Sequence, residues 1–278
     1  MRFAIYCAFT ISLFVAGLSP AWADGLLKAG NGLQWFKGNT HTHTLWSDGD
    51  GAPELSVAWY KEHGYDFLSL TDHNIVMEGD KWFPVQEDSR LTPERLQQLK
   101  DKFGEDWIVE KNNLGIHVMK LKTYDELRER FEEPGKFILI YGEEITSKVH
   151  INGLNLRELV EPSRAESNVD IIREHVHEVD EQSRKHNAPM LTHVNHPNFS
   201  SGVSAEDMIA VPEGRFFEIY NGHGSVKNWG DPKIGRSSTD REWDVILTYR
   251  LRENPDNILY GLGTDDTHDY FHHGAGAS

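Results

Sequence analysis

Seven short apolar runs, spaced so that helices fit between most of them, constrain this chain more than any other feature. They cover residues 35–42, 65–70, 137–141, 148–156, 188–192, 216–220 and 257–262. Runs of this length bounded by Gly, Pro, Asn or Asp read as strands: Tyr65-Asp-Phe-Leu-Ser-Leu70 is typical of a strand buried on both faces, and Phe137-Ile-Leu-Ile-Tyr141 is the clearest strand. Residues 53–63 read as a helix, with Pro53 in its first turn and Gly64 just past its end. A longer helix is expected over residues 169–185, where Ile171, Ile172, Val176 and Val179 form an apolar stripe, and another over residues 241–252. Strand and helix in alternation predict parallel pairing with right-handed crossovers, and favour a (β/α) barrel over an open sheet.

Polar residues then fall where such a barrel carries its chemistry. His41 and His43, His73, Glu143, His196, and Asp266 with His268 all sit at C-terminal ends of apolar runs. In a strand, side chains two apart share a face, so His41 and His43 can hold one ion, with Asp48 close behind in sequence. Imidazole suits Zn, Fe, Mn or Ni, and carboxylates add preference for harder ions. His175, His177 and His186 lie on the long connecting helix or at its end, away from the strand ends, and are expected to be polar decoration.

The rest of the chain bounds the setting. Residues 1–23 have the pattern of a signal peptide: Arg2, an apolar run and Ala21-Trp22-Ala23, which predicts cleavage before Asp24 and a secreted or periplasmic protein. That run is shorter than the roughly 20 residues of a membrane span. Cys7, the one cysteine, lies in the leader, so the mature chain has neither disulfide nor thiolate. Its stability must come from its core, for which 38% hydrophobic residues suffice. Losing Arg2 takes the formal charge from −16 to −17, which excludes electrostatic tracking of a nucleic acid backbone. Residues 75–136 interrupt the barrel pattern as a helical insertion, with helices expected at 93–103 and 124–133. That segment reads either as a lid or as peripheral decoration, and Trp82, Phe83 and Trp107 as its internal packing.

In order, His41-Thr-His43 with Ser47-Asp-Gly49, Thr71-Asp-His-Asn74, Gly142-Glu-Glu-Ile-Thr146, His150-Ile-Asn-Gly-Leu154, Asn195-His-Pro-Asn198 and Asp266-Thr-His268 resemble the PHP (polymerase and histidinol phosphatase) superfamily of metalloesterases. The resemblance spans residues 37–268, and its flavour is similar to the carbaryl-hydrolase-like branch. It implies a distorted (β/α)7 TIM-like barrel as a single domain over residues 24–278. It also implies two or three divalent ions, Zn, Mn or Fe. His41, His43, Glu143 and Asp266 would hold the first ion. Glu143 would bridge to a second held by His150 and His196. Asp48, His73 and His268 would hold a third. His196 is preferred to His193 because it precedes Pro197, and Asp266 to Asp265 because the pattern is DxH.

Glu143, Asp266 and His268 are the expected catalytic groups. Asp72 and Glu218 are expected to orient imidazoles, and Lys148, Asn221 and His223 to meet substrate. The implied reaction is hydrolysis of a small phosphate ester by metal-activated water. A carbamate, amide or carboxylic ester hydrolase with the same cluster is the alternative, and a non-catalytic extracytoplasmic metal-binding protein a third reading, hinted at by His272-His273. Ten residues follow His268, too few for a helix covering the last strand, so the natural protein is expected to continue.

Overall fold

The protein is described by a computed structural model over residues 34–200 and 202–271. The chain divides at Phe36 and Lys37, and the unit from Lys37 onward carries every element below. The expected leader at residues 1–23, Cys7 within it, and His272-His273 lie outside the described residues.

Its elements begin with β1 (Gly38–Asn39), α1 (Pro53–Glu62), β2 (Phe67–Leu70), β3 (Trp82–Pro84), α2 (Pro93–Phe103), β4 (Glu110–Asn113), β5 (Ile116–Lys120) and α3 (Tyr124–Phe131). They continue with β6 (Ile138–Thr146), β7 (His150–Leu154), α4 (Asn168–His186), β8 (Leu191–Val194), α5 (Ala205–Ile209), β9 (Phe216–Asn221), α6 (Thr239–Glu253) and β10 (Tyr260–Thr264). The seven strands expected from the apolar runs form one sheet in the order β1-β2-β6-β7-β8-β9-β10. Its two edges meet: Thr42 bridges Thr267, His43 N donates to Thr267 O, and Asp266 N donates to His41 O, both at 3.0 Å. The result is a nearly closed α/β barrel.

One strand departs from the expected parallel pattern. β7 pairs antiparallel with both β6 and β8. Only residues 147–149 join β6 to β7, and a parallel crossover needs a dozen or more residues, so the chain can only turn back. Reversal puts the start of β7, His150, opposite Thr146, the end of β6. His150 therefore reaches the same rim as the C-terminal ends of the other strands.

Alternation in β6 sorts the core from the site. Leu139, Tyr141 and Ile145 are buried in one cluster with Val57 and Tyr60 of α1 and Leu127 and Phe131 of α3. Gly142 faces the other way, and a Cβ there would come within 2.5 Å of Ser69 Oγ. Each large apolar side chain so buried contributes about 1.5–3 kcal/mol.

The insertion carries its two expected helices, with Thr92 and Thr123 as N-caps and a Thr123/Glu126 capping box. It also carries an antiparallel sheet in the order β3-β5-β4 that no apolar run announced. Leu96, Leu99, Phe103, Met119 and Leu121 join the same core as Leu68, Leu70 and Tyr141, so the insertion packs as part of the main core. Phe83 and Trp107 pack against that core, as expected, and Trp82 lies under Lys111 Nζ. In α4, His177 is exposed, whereas His175 is buried and corrects the reading of it as surface decoration. Its Nε2 accepts from Ser163 N at 3.2 Å and its Nδ1 lies 3.1 Å from Glu178, which anchors the segment before the helix. Among the described residues, no helix is long and apolar enough to cross a membrane.

Candidate metal centre

The HxH pair enters the barrel at its closure, where strand backbone on both sides fixes it. His41 Nε2 lies 3.2 Å from Asp266 Oδ1 and 3.4 Å from Glu144 Oε1. His43 Nε2 lies 3.1 Å from Asp266 Oδ1 and 3.2 Å from Glu144 Oε2. All four side chains are at most 5% exposed. Even so, His41 Nε2, His43 Nε2, Glu144 Oε2 and Asp266 Oδ1 make no aligned hydrogen bond. Buried polar atoms left without partners cost about 1–3 kcal/mol each, so four converging on one point call for something between them. Around a divalent ion with bonds of about 2.1 Å, tetrahedral ligands stand roughly 3.4 Å apart, close to these separations. The donor set fits a metal ion.

The remaining atoms of these residues are held in place. His41 Nδ1 lies 2.8 Å from Glu218 Oε1, which fixes the proton on Nδ1 and turns the Nε2 lone pair inward. Thr264 Oγ1 also donates to Glu218 Oε1, and His196 N and Asn221 Nδ2 donate to Oε2. Asn221 Nδ2 donates as well to Asp266 Oδ2 at 3.0 Å, leaving Oδ1 for the cluster. Glu218 thus contacts an imidazole, as an orienting group would, and Asn221, expected to meet substrate, has its Nδ2 engaged by Glu218 and Asp266.

Glu144 corrects the sequence reading, which put Glu143 here. Its Oε1 lies 3.1 Å from His150 Nδ1 and 3.2 Å from His196 Nε2, and its Oε2 2.9 Å from His73 Nδ1. With His41 and His43 it touches five imidazoles. Glu143 points out of the barrel with Leu139, Tyr141 and Ile145, where its Oε2 accepts from Val160 N at 3.0 Å. Burial raises its pKa to about 8, Val160 N opposes the shift, and the charges of Glu161 and Glu178 add to it.

A second group stands nearer the solvent. Asp48 lies 3.3–3.4 Å from His43 Nδ1, His73 Nε2 and His268 Nε2, and is 56% exposed. Ligand atoms fall into four compact sets: His43/Asp48/His73/His268, His41/Glu144/His196, His41/His43/Asp266 and His73/Glu144/His150. Every expected ligand except Glu143 is in one of them. Asp265, the alternative to Asp266, accepts from Tyr60 Oη at 2.8 Å instead. His193, the alternative to His196, sits behind His41 with ring centroids 6.2 Å apart, and burial lowers its pKa to about 4.

Charge in the cluster is arranged for cations. Burial alone would lower the pKa of His43, but Asp266 and Glu144 outweigh it and bring it to about 9. His73 is likewise raised to about 10 by Asp48 and Glu144 against burial. Burial opposes ionisation of Glu144 and Asp266, yet the imidazoles hold both well below the usual carboxylate range. Protons on these imidazoles would have to leave as ions enter.

A cavity of about 250 Å³ opens onto the cluster, lined by Asp48, His73, Glu144, His150, His196, Phe199, His223, Asp266 and His268. Phe199, which directly follows the Asn195-His-Pro-Asn198 motif, was not among the expected site residues. His223, expected to meet substrate, is in the wall: its N donates to Asn221 Oδ1 and its Nδ1 accepts from Ser225 N. Lys148 is not: its Nζ donates to Glu166 O at 3.1 Å, away from the cavity. Asp72 touches no imidazole either. It accepts from Thr44 N and from Ser47 N and Oγ, and reaches His43 only through Ser47 Oγ, 3.3 Å from Nδ1.

Neither a family description nor a curated protein matches the chain. Among solved structures it is similar to a two-domain protein from Bacteroides vulgatus containing a predicted PHP-like metal-dependent phosphoesterase. Identity there is 21% and TM-score 0.44, over 84% of this chain and 52% of that one, so this chain spans about half of that protein's length. It is also similar to an amidohydrolase from Chromobacterium violaceum, at 12% identity and TM-score 0.37 over 84% and 88% of the two chains. A histidinol phosphate phosphatase from Lactococcus lactis, complexed with zinc, L-histidinol and phosphate, gives 15% identity and TM-score 0.30 over 84% and 86%.

Proposed function

We propose that this chain is a metal-dependent hydrolase of the PHP type that cleaves a phosphate ester. One observation carries the reading: His41 Nε2, His43 Nε2, Glu144 Oε2 and Asp266 Oδ1 converge without aligned hydrogen bonds, and two of these residues, Glu144 and Asp266, line a cavity. Divalent ions supply, when bound, a lowered pKa for water and neutralisation of charge on the phosphoryl oxygens. In this reading Glu144 takes the bridging role, Asp266 and His268 complete the ligand shell beside the reacting atoms, and Glu218 holds the His41 tautomer. Because His223 Nδ1 is engaged by Ser225 N, the neutral ring carries its proton on Nε2, where it can donate to a substrate oxygen. Phe199 gives the leaving group an apolar wall.

Hydrolysis of a carbamate, amide or carboxylic ester is the second reading. No lysine or arginine is among the cavity residues, whereas phosphate recognition commonly uses one. Export is proposed on the signal pattern at residues 1–23. A screen of metal-loaded protein over phosphomonoesters, phosphodiesters and aryl carbamates tests the assignment. We expect turnover of phosphate esters that chelation abolishes and added Zn or Mn restores. Turnover of carbamates alone would replace the first reading by the second, and activity indifferent to chelation would overturn both.

A further inference from the structure

Side chains of the insertion converge on the loop that carries Asp48. Arg90 Nη1 donates to Gly49 O at 2.6 Å. Lys81 Nζ donates to Trp46 O and sits 5.2 Å from the centre of the Trp46 ring. Trp46 Nε1 in turn donates to Lys122 O at 2.8 Å. Arg95 Nη2 lies 3.4 Å from Asp50 Oδ2, while Arg95 Nη1 donates to Arg90 O.

Asp50 passes this hold on to the segment bearing His268. Its N donates to His268 O and its Oδ1 accepts from Tyr270 N, both at 2.8 Å. The Arg95 guanidinium also lies 4.1 Å from the centre of the Phe271 ring. One part of the insertion thereby grips the two loops that supply Asp48 and His268 to the outer ligand set. Polar contacts of the inner set come instead from the barrel, through Glu218 and Asn221. Asp48 is more than half exposed, and a free loop would have to be ordered each time an ion bound.

We infer that Arg90 and Arg95 are positioning residues for the outermost ion, so that the insertion sets occupancy of the Asp48/His73/His268 site. This rests on the metal-dependent reading above. It makes the insertion a buttress for the outer site.

The test counts ions per chain in full-length protein equilibrated with buffered Zn or Mn. Wild type is expected to hold three. Arg90→Ala with Arg95→Ala should keep two and bind the third about 10- to 100-fold more weakly, the usual cost of losing a residue that supports ligands. Arg95→Lys alone, which keeps the charge, should recover most of the occupancy. Arg130→Ala is the control: Arg130 donates to Phe103 O and covers Trp107 within the insertion, and its loss should leave three ions. Should the double variant not fold, Asp50→Asn breaks the Arg95 ion pair from the other side and must give the same loss. A third ion bound as tightly as in wild type, or lost equally in Arg130→Ala, overturns the inference while the metal reading stands. Wild type holding two ions or fewer overturns the outer site and the inference together, and none at all overturns the metal reading itself.

Discussion

The two halves of the cluster are built by different means. His41, His43, Glu144 and Asp266 are buried, come from strands or from the backbone that closes the barrel, and leave four inward atoms without hydrogen bonds. Asp48, His73 and His268 are 23–56% exposed, and two of them come from loops that the insertion holds. A barrel strand places a ligand through its register, so the inner half is as rigid as the sheet. A loop needs a second body to do the same, and the insertion is that body. The inner half should accordingly decide whether chemistry occurs, and the outer half should set its rate.

The largest effect should come from the bridging carboxylate. Glu144→Gln is expected to lose the inner ions and at least about 1000-fold in kcat/KM, checked by metal content and steady-state kinetics, since its two oxygens face five imidazoles. Retained ions with near-normal kinetics would erase the distinction between the halves. Next, Asp48→Asn should bind one ion fewer and lower activity about 10- to 100-fold, leaving the inner ions in place. If it emptied the whole cluster, the halves would be one unit. Glu218→Gln keeps a side chain of the same shape beside His41 but no longer holds its tautomer, and about 10-fold weaker binding of the inner ions is expected from a metal titration.

The smallest functional effect belongs to Glu143, whose replacement should act on stability alone. Its pKa is raised to about 8 by burial, so the folded chain holds a proton that the unfolded chain releases above its ordinary range near 4.5. The stabilising contribution is complete below about 4.5 and is lost as pH rises toward 8. Glu143→Gln avoids that loss and keeps an acceptor for Val160 N. It should match wild type in urea unfolding at pH 4.5 and exceed it by on the order of 4 kcal/mol at pH 8, with ion content and activity unchanged. Equal stability at both pH values would mean that the carboxyl is not buried as described.

Much of this was legible because short apolar runs bounded by turn residues advertise strands. Phe137-Ile-Leu-Ile-Tyr141 could be little else, and residues at the ends of such runs could be named one by one. The adjacent pair Glu143-Glu144 could not be resolved by motif, since either fits GEE. The answer lay in the alternation of Leu139, Tyr141 and Ile145, whose bulk belongs under the helices, against Gly142, whose missing Cβ belongs inside. The direction of β7 was written in the shortness of residues 147–149. The sheet of the insertion left little trace because β4 is Glu110-Lys-Asn-Asn113, polar throughout and half of a hairpin. The hold of Arg90 and Arg95 on the Asp48 loop is a long-range contact with no sequence pattern at all.

Anomalous X-ray diffraction from crystals grown with Zn or Mn, collected on both sides of the metal edge, tests the central claim most directly. The account predicts peaks in bonding range of His41 Nε2, His43 Nε2, Asp266 Oδ1 and both oxygens of Glu144, and none beside Glu143. A peak at Glu143, or an inner cluster left empty at saturating metal, would contradict it.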